Sequence, residues 1–163
     1  MTTKCVATPT GIAMLEETDD VGFTGPASGM TGVQQMAVIR RLLKRLKRDP
    51  RPRLHHGDCI GGDAEFHAIG LIYGLEMVVH PPYDPKKRAF CNGGTSEIRE
   101  PKPYLERDRD IVDETALLIG AVSNTGYHHK NCRDGYCYTI RYALKAGKEV
   151  VVVETDGTTR RLP

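Results

Sequence analysis

The sequence contains no tryptophan, few phenylalanines and no hydrophobic run near the length of a bilayer. A membrane-spanning helix needs about 20 consecutive apolar residues, so we expect no membrane partner. The first residues also lack the apolar segment of a signal peptide. Together with an ordinary share of hydrophobic residues, these absences predict one cytoplasmic domain with its own core.

An excess of charge of one sign is also missing. The 23 basic side chains nearly balance the 21 acidic ones and leave a net charge of +2. Proteins that bind nucleic acid through bulk electrostatics are strongly basic, so the composition argues against a nucleic-acid partner. The basic cluster between Arg40 and Arg53 instead fits the solvated face and C-terminal end of a helix.

The five cysteines form an odd set with no disulfide spacing, which predicts reduced thiols. No CxxC pair is present, and the spacing of the nearby histidines and cysteines is not that of a common zinc site. That group comprises His128, His129, Cys132 and Cys137. We therefore expect neither a metal nor a cofactor.

The stretch from Val21 to Thr31 is the one around which the chain is organised. An apolar run ends in glycines, and a Ser/Thr-rich turn then opens a helical pattern. A junction of this kind presents unpaired backbone N–H groups and the positive end of a helix dipole, which suit a phosphate. The candidate ligand-binding residues here are Thr24, Gly25, Ser28 and Gly29. The alternative is that the glycines only make a tight turn.

The rest of the chain continues with alternating predicted strands and helices. Hydrophobic patterning predicts strands at 21–24, 53–56, 76–80, 116–122 and 149–153, and helices at 31–48, 63–73, 104–115 and 138–146. Right-handed crossovers then give an α/β fold. We expect a single doubly wound, Rossmann-like parallel sheet of about five strands, in the order 3-2-1-4-5, with helices on both faces.

Three segments lie outside this pattern. Residues 1–19 are an N-terminal arm before the domain at 20–163; a disordered arm, an edge element and a partner contact all fit it. Residues 83–103 form a long irregular segment whose basic side chains are able to close over an anionic ligand. Residues 158–163 are a short tail.

Ligands of such sheets bind at the carboxyl ends of the strands, where the loops after the first, second and fourth strands meet. The second and fourth loops supply further candidate binding residues: His56, Gly57, Asp58, Gly61, Gly62, Asp63, Arg133, Asp134, Gly135 and Tyr136. Asp63 and Asp134 also suit helix caps. A helix N-terminus lowers the pKa of a thiol, which would favour Cys59 as a nucleophile, but no general base beside it is evident.

Several of these segments resemble the SLOG superfamily of Rossmann-like proteins. Gly22 to Thr31 is similar to its first strand and loop, and His56 to Ala64 to its second glycine motif. Tyr104 to Asp110 is similar to the helix whose arginine contacts the ligand, and Arg133 to Ala143 to the fourth-loop motif. The superfamily includes LOG-type nucleoside 5′-monophosphate phosphoribohydrolases and DNA-processing protein A.

The resemblance implies a ligand built from a nucleotide or ribose phosphate, with Arg107 in the site. LOG-type enzymes also use a glutamate after the fourth glycine motif, and this chain has Tyr136 to Thr139 there instead. Cleavage of a ribosyl bond passes through a cationic sugar that a carboxylate stabilises. The possible substitutes are Asp58, Asp63, Asp108 and Asp134. We take Arg107 and Asp58 as the candidate catalytic residues.

The resulting hypothesis is a protein that binds a nucleotide-derived ligand and hydrolyses an N-glycosidic bond. An alternative is a non-catalytic sensor or sequestering protein for a nucleotide signal, such as a cyclic or ADP-ribose derivative. A second alternative is a DNA-handling protein. The resemblance also implies a homo-oligomer.

Overall fold

The computed structural model describes most of the chain. The described residues are 4–8, 11–15, 18–47, 51–94, 96–128 and 130–163. The predicted end of the first helix at Arg48, its stop at Asp49 and Pro50, and His129 lie outside them.

Strands and helices alternate along the chain, after an N-terminal hairpin. The elements are β1 Lys4–Thr8, β2 Gly11–Leu15, β3 Val21–Thr24, α1 Gly32–Arg45, β4 Leu54–His56, α2 Gly62–Ile72, β5 Met77–Val79, a 3-10 turn Pro85–Lys87, β6 Ser96–Ile98, α3 Tyr104–Asp113, β7 Leu117–Ala121, α4 Gly135–Lys145, β8 Glu149–Val153 and β9 Thr159–Leu162. β1 and β2 pair with each other as a two-stranded antiparallel sheet.

The main sheet has seven strands in the order β6-β5-β4-β3-β7-β8-β9. All neighbours in it are parallel except β8 and β9. The Rossmann-like α/β class is confirmed, and β5-β4-β3-β7-β8 reproduces the expected order 3-2-1-4-5. The expected count of about five strands is corrected to seven, because each edge of the sheet has one more strand.

Both added strands were hard to recognise from their residues. β6 lies within the segment 83–103 and β9 within the expected tail 158–163. Neither has the continuous apolar run of a central strand, since edge strands are partly exposed. In β9 only Leu162 is buried.

Two hydrophobic clusters lie on opposite faces of the sheet. One contains Val38 of α1 and Phe66 of α2, and the other contains Val112 of α3 and Ile140 of α4. Side chains along a strand point alternately to the two faces. Within β7, for example, Leu117 and Ile119 join the first cluster and Leu118 joins the second. Helices therefore cover both faces, as expected for a doubly wound sheet.

From β3 the strand order grows first to one side, through β4, β5 and β6, and then to the other side, through β7 and β8. The loops after β3 and β7 consequently diverge to opposite faces and leave a crevice at their carboxyl ends. Among the described helices, none is long and apolar enough to cross a membrane.

Candidate ligand-binding site

A cavity of about 620 Å³ opens at the carboxyl edge of the sheet. It lies at the β3–β7 crevice, and the expected binding residues that line it are Thr24, Gly25, Ser28, Asp63, Arg107, Asp134, Gly135 and Tyr136. The expected residues outside its lining are Gly29, His56, Gly57, Asp58, Gly61, Gly62 and Arg133. The structure therefore brings eight of the expected residues together around one cavity and leaves the other seven outside its lining.

The loop after β3 forms one wall of the cavity. Along this wall, the N–H groups of Gly25, Ala27 and Ser28 donate to no acceptor within the described part of the chain. The start of α1 is less available, because Thr31 and Gln34 form a reciprocal capping box. Donors for an anion are therefore concentrated on the loop itself, together with the Thr24 hydroxyl.

Glycines in the loop after β4 let it pack directly on the β3 loop. Gly61 has a φ of +82°, and a Cβ atom there would overlap the carbonyl of Ala27. Gly62 N–H donates to the carbonyl oxygen of Pro26 at 2.9 Å. The second glycine motif therefore shapes the site by close backbone contact.

Asp58 holds the segment 83–103 against the site instead of facing the cavity. Its side chain is fully buried, and its φ of +58° is in the left-handed region. One carboxylate oxygen accepts from Arg88 Nε at 2.6 Å, and the other accepts from the Cys91 N–H at 2.7 Å. We therefore reassign Asp58 from the expected catalytic group to an anchor of this segment.

The anchored segment brings two cations to the cavity. Ile60 N–H donates to the carbonyl oxygen of Lys87 at 2.9 Å, which holds the 3-10 turn beside the second glycine loop. Lys86 and Lys87 of this turn, and Asp84 before it, line the cavity. The sequence predicted that basic side chains of this segment are able to close over an anionic ligand, and the structure puts Lys86 and Lys87 in the cavity lining.

Arg107 is buried at the base of the cavity, with 6% of its surface exposed. Its guanidinium lies where a Cβ atom of residue 57 would be, so only glycine at that position leaves room for it. Nη2 donates to Cys59 Sγ at 3.1 Å, and the guanidinium carbon lies 5.4 Å from the Tyr104 ring centroid. Gly57, expected as a ligand-binding residue, instead makes space for this arginine.

A buried carboxyl group, that of Asp63, and a partly buried one, that of Asp108, flank the Arg107 guanidinium. Asp63 Oδ2 lies 3.9 Å from Nη1, and Asp108 Oδ1 lies 3.2 Å from Nε. Burial raises the pKa of Asp63 from 3.8 to about 6, against the opposing effect of Arg107. Burial also raises the pKa of Asp108. Raised carboxyl pKa values in a cleft are typical of functional groups, which makes this cluster the candidate chemical centre of the cavity.

Cys59 is not an activated nucleophile. Burial, and then the charge of Asp63, raise the pKa of its thiol, so the thiolate is disfavoured near neutral pH. The nearby helix start does not reverse this effect.

The N-terminus of α4 forms the opposite wall. Asp134 is the N-cap residue but makes no capping hydrogen bond with its side chain. Its Oδ2 accepts from the Tyr136 hydroxyl at 3.0 Å, and that hydroxyl lies 2.8 Å from Ser123 Oγ. Arg133 is exposed and lines a neighbouring cleft instead.

A disulfide joins Cys132 to Cys137 across the start of α4. This pairing corrects the expectation that all the cysteines are reduced thiols. The two cysteines are five residues apart, and the bridge depends on α4 beginning between them at Gly135.

Buried histidines lie behind the cavity. His56 Nδ1 accepts from the Asp58 N–H at 3.1 Å, and its Nε2 lies 2.9 Å from His67 Nδ1. His67 Nε2 lies 3.0 Å from the carbonyl oxygen of Asn92, so it is the donor there. Burial lowers the pKa of His56 well below its ordinary value. His56 is therefore a neutral, hydrogen-bonded part of the core.

No protein-family model matches the sequence, and no curated protein matches it at a significant level. Among solved structures, the chain is similar to the X-ray structure of TM1055, a structural genomics target. The TM-score is 0.55 at 14% identity, over 82% of this chain and 72% of that one. At this identity the likeness shows the Rossmann-like fold alone.

The Gly57→Ala variant tests the space made for Arg107. The backbone of Gly57 permits alanine, but the added methyl group must displace the guanidinium and leave Asp63 and Asp108 without their cation. Since breaking a buried ion pair costs several kcal/mol, we expect a loss of about 3 kcal/mol in the free energy of urea unfolding. Gly32→Ala, which meets open space, is the control. Equal stability of both variants would refute this account of Gly57.

The Asp63→Asn variant tests the raised pKa of Asp63 through stability. Between its ordinary pKa of 3.8 and the folded value of about 6, the folded state binds more protons than the unfolded state. The Asp63 contribution to stability therefore falls as pH rises through this window. From pH 4 to pH 7, the variant should gain about 2 to 3 kcal/mol relative to the native chain.

Urea unfolding of both proteins at several pH values measures this difference. Asparagine keeps an oxygen that accepts from the Gly57 and Cys59 N–H groups. A difference in stability that does not change with pH would show that Asp63 has an ordinary pKa.

Proposed function

We propose that this chain binds a nucleotide-derived ligand containing ribose phosphate and hydrolyses its N-glycosidic bond. The observation that supports this most is the composition of one cavity. It combines a loop of unpaired N–H groups, a buried guanidinium between two carboxyl groups, and aromatic side chains. Its volume of about 620 Å³ is in the usual range for small-molecule sites.

The phosphate belongs at the loop after β3. Gly25, Ala27 and Ser28 offer backbone donors there, and the Thr24 hydroxyl adds another. Lys86 and Lys87 supply positive charge from the 3-10 turn. Backbone N–H groups with a nearby cation are a common arrangement for phosphate binding.

The sugar belongs beside Arg107, where carboxyl groups accept hydrogen bonds from ribose hydroxyls. Asp63 and Asp108 line this part of the cavity. A positive charge develops on the sugar ring as a glycosidic bond breaks, and a nearby carboxylate stabilises it. Tyr104 and Tyr136 supply ring surfaces for a base.

The resemblance to LOG-type enzymes of the SLOG superfamily supports the same assignment. Arg107 lies nine residues before Ala116, which is the spacing of their ligand-contacting arginine from its next strand. The sheet places the cavity at the switch point, where doubly wound folds bind nucleotides.

A non-catalytic sensor of a nucleotide signal is the second candidate. It is favoured by one observation: Tyr136 to Thr139 contain no carboxylate where LOG-type enzymes have glutamate. Recovery of a tightly bound nucleotide in intact form after prolonged incubation would support this candidate over hydrolysis.

The Thr24→Val variant tests the phosphate position. Valine keeps the shape of the side chain and removes only the hydroxyl donor. Since a hydrogen bond to a charged group contributes about 1.5 to 3 kcal/mol, we expect Kd for adenosine 5′-monophosphate to rise by about 10- to 100-fold. Isothermal titration calorimetry measures it, and adenosine should bind the variant and the native protein equally.

Thr159→Val on the edge strand β9 is the matched control, because Thr159 is exposed and outside the cavity. It should bind adenosine 5′-monophosphate as the native protein does. Equal weakening by both variants would contradict a phosphate position at Thr24. Failure of the native protein to bind any nucleotide would overturn the proposed function.

A further inference from the structure

We propose that Asp63 is the proton donor of this cavity and that Asp108 is the carboxylate facing the sugar. Asp63 would protonate the base nitrogen as the glycosidic bond breaks. The assignment rests on the proposed function and gives it the acid and the carboxylate that the residues after Gly135 do not supply.

The structure distinguishes between the four aspartates that the sequence analysis proposed as candidates for the catalytic carboxylate. Both carboxylate oxygens of Asp58 accept hydrogen bonds from the segment 83–103, and Asp58 does not line the cavity. Asp134 lines the cavity but is exposed, and it accepts from the Tyr136 hydroxyl. Only Asp63 and Asp108 are both close to Arg107 and in the cavity lining.

The hydrogen bonds of Asp63 favour a proton on one particular oxygen. The Gly57 and Cys59 N–H groups both donate to Oδ2, at 3.1 and 3.2 Å. Within the described residues, Oδ1 has no hydrogen-bond partner. An oxygen that already accepts two N–H groups is the poorer site for a proton, so the proton belongs on Oδ1.

The local charge balance also favours one retained proton. A single guanidinium, that of Arg107, lies between the carboxyl groups of Asp63 and Asp108. It compensates one negative charge, while burial and, less strongly, the charge of Asp108 raise the pKa of Asp63. The other groups that influence Asp63 do not alter this balance: Cys59 and Cys91 have raised pKa values and are neutral near pH 7.

The proposed reaction balances with water as the only co-reactant. The C1′–N bond breaks, its electron pair stays on the base nitrogen, and that nitrogen takes the proton from Asp63 Oδ1. Water forms the new C1′–O bond and releases a proton to Asp108. Exchange with solvent returns the proton to Asp63. The products are the free base and ribose 5-phosphate.

Base release from adenosine 5′-monophosphate, followed by chromatography between pH 4 and 9, tests the assignment. For the native protein, kcat/KM should fall as pH rises above about 6, the pKa of Asp63 in the free protein. Asp63→Asn should lower kcat by at least about 100-fold and abolish this pH limb, while Kd changes little. Asp108→Asn should lower kcat without removing the limb.

Asp110→Asn is the matched control, since Asp110 lies on the same helix and pairs with Lys102 outside the cavity lining. Its kcat and pH profile should equal those of the native protein. If Asp63→Asn keeps the native kcat and profile, the assignment is overturned. If the native protein binds nucleotide and releases no base, the assignment also fails, while nucleotide binding stands.

A measurement on the native protein covers the case in which Asp63→Asn does not fold. Carbon-13 NMR of labelled aspartate carboxyl groups should show one that titrates near pH 6. If every aspartate titrates below about pH 5, within the ordinary range of the residue, the proton donor is not Asp63.

Discussion

The candidate site depends on one buried cation, the guanidinium of Arg107, and on the space that Gly57 leaves for it. Arg107 extends from α3 into the space beside Gly57, and its guanidinium lies between Asp63 of α2 and Asp108 of α3. A buried guanidinium is stable only when it is paired, and the two carboxyl groups supply that pairing. The same contacts connect helices from opposite faces of the sheet at the edge where ligands of this fold bind. The arginine is therefore both a structural contact and the centre of the proposed chemistry.

The other parts of the cavity depend on loops that are tied to one another. Gly61 and Gly62 let the second loop pack on the first, and Asp58 ties the segment 83–103 to the second loop. This chain of contacts positions Lys86 and Lys87 across from the N–H groups of the β3 loop. Residues that do not touch the cavity, such as Asp58 and Gly57, are thus expected to be as sensitive to substitution as those that line it.

The alternation of apolar strands and amphipathic helices made the central sheet predictable. β3 and β8 were predicted with the bounds that the structure has, because their runs are apolar and end at clear turn residues. β6 and β9 were missed because an edge strand of mixed residues gives no periodic signal. The disulfide of Cys132 and Cys137 was also missed, because it depends on where α4 begins.

The loops that form the candidate site were predictable from the sequence. The orientations of their individual side chains were less predictable. Fold rules place the carboxyl ends of parallel strands together, which correctly grouped Thr24, Arg107 and Gly135. They do not say which of the two aspartates in the second glycine loop faces the cavity. That choice follows from the left-handed backbone of Asp58, which turns its carboxylate to Arg88, and from the position of Asp63 in the first turn of α2.

The central claim is that one cavity binds the phosphate of a nucleotide at the loop after β3 and its sugar beside Arg107. Titration of nitrogen-15-labelled protein with ribose 5-phosphate tests it most directly by NMR. The account predicts the largest amide shifts at Gly25, Ala27 and Ser28, with further shifts at Cys59, whose N–H donates to Asp63. Shifts confined to other surfaces, or no shifts at millimolar ligand, would contradict it.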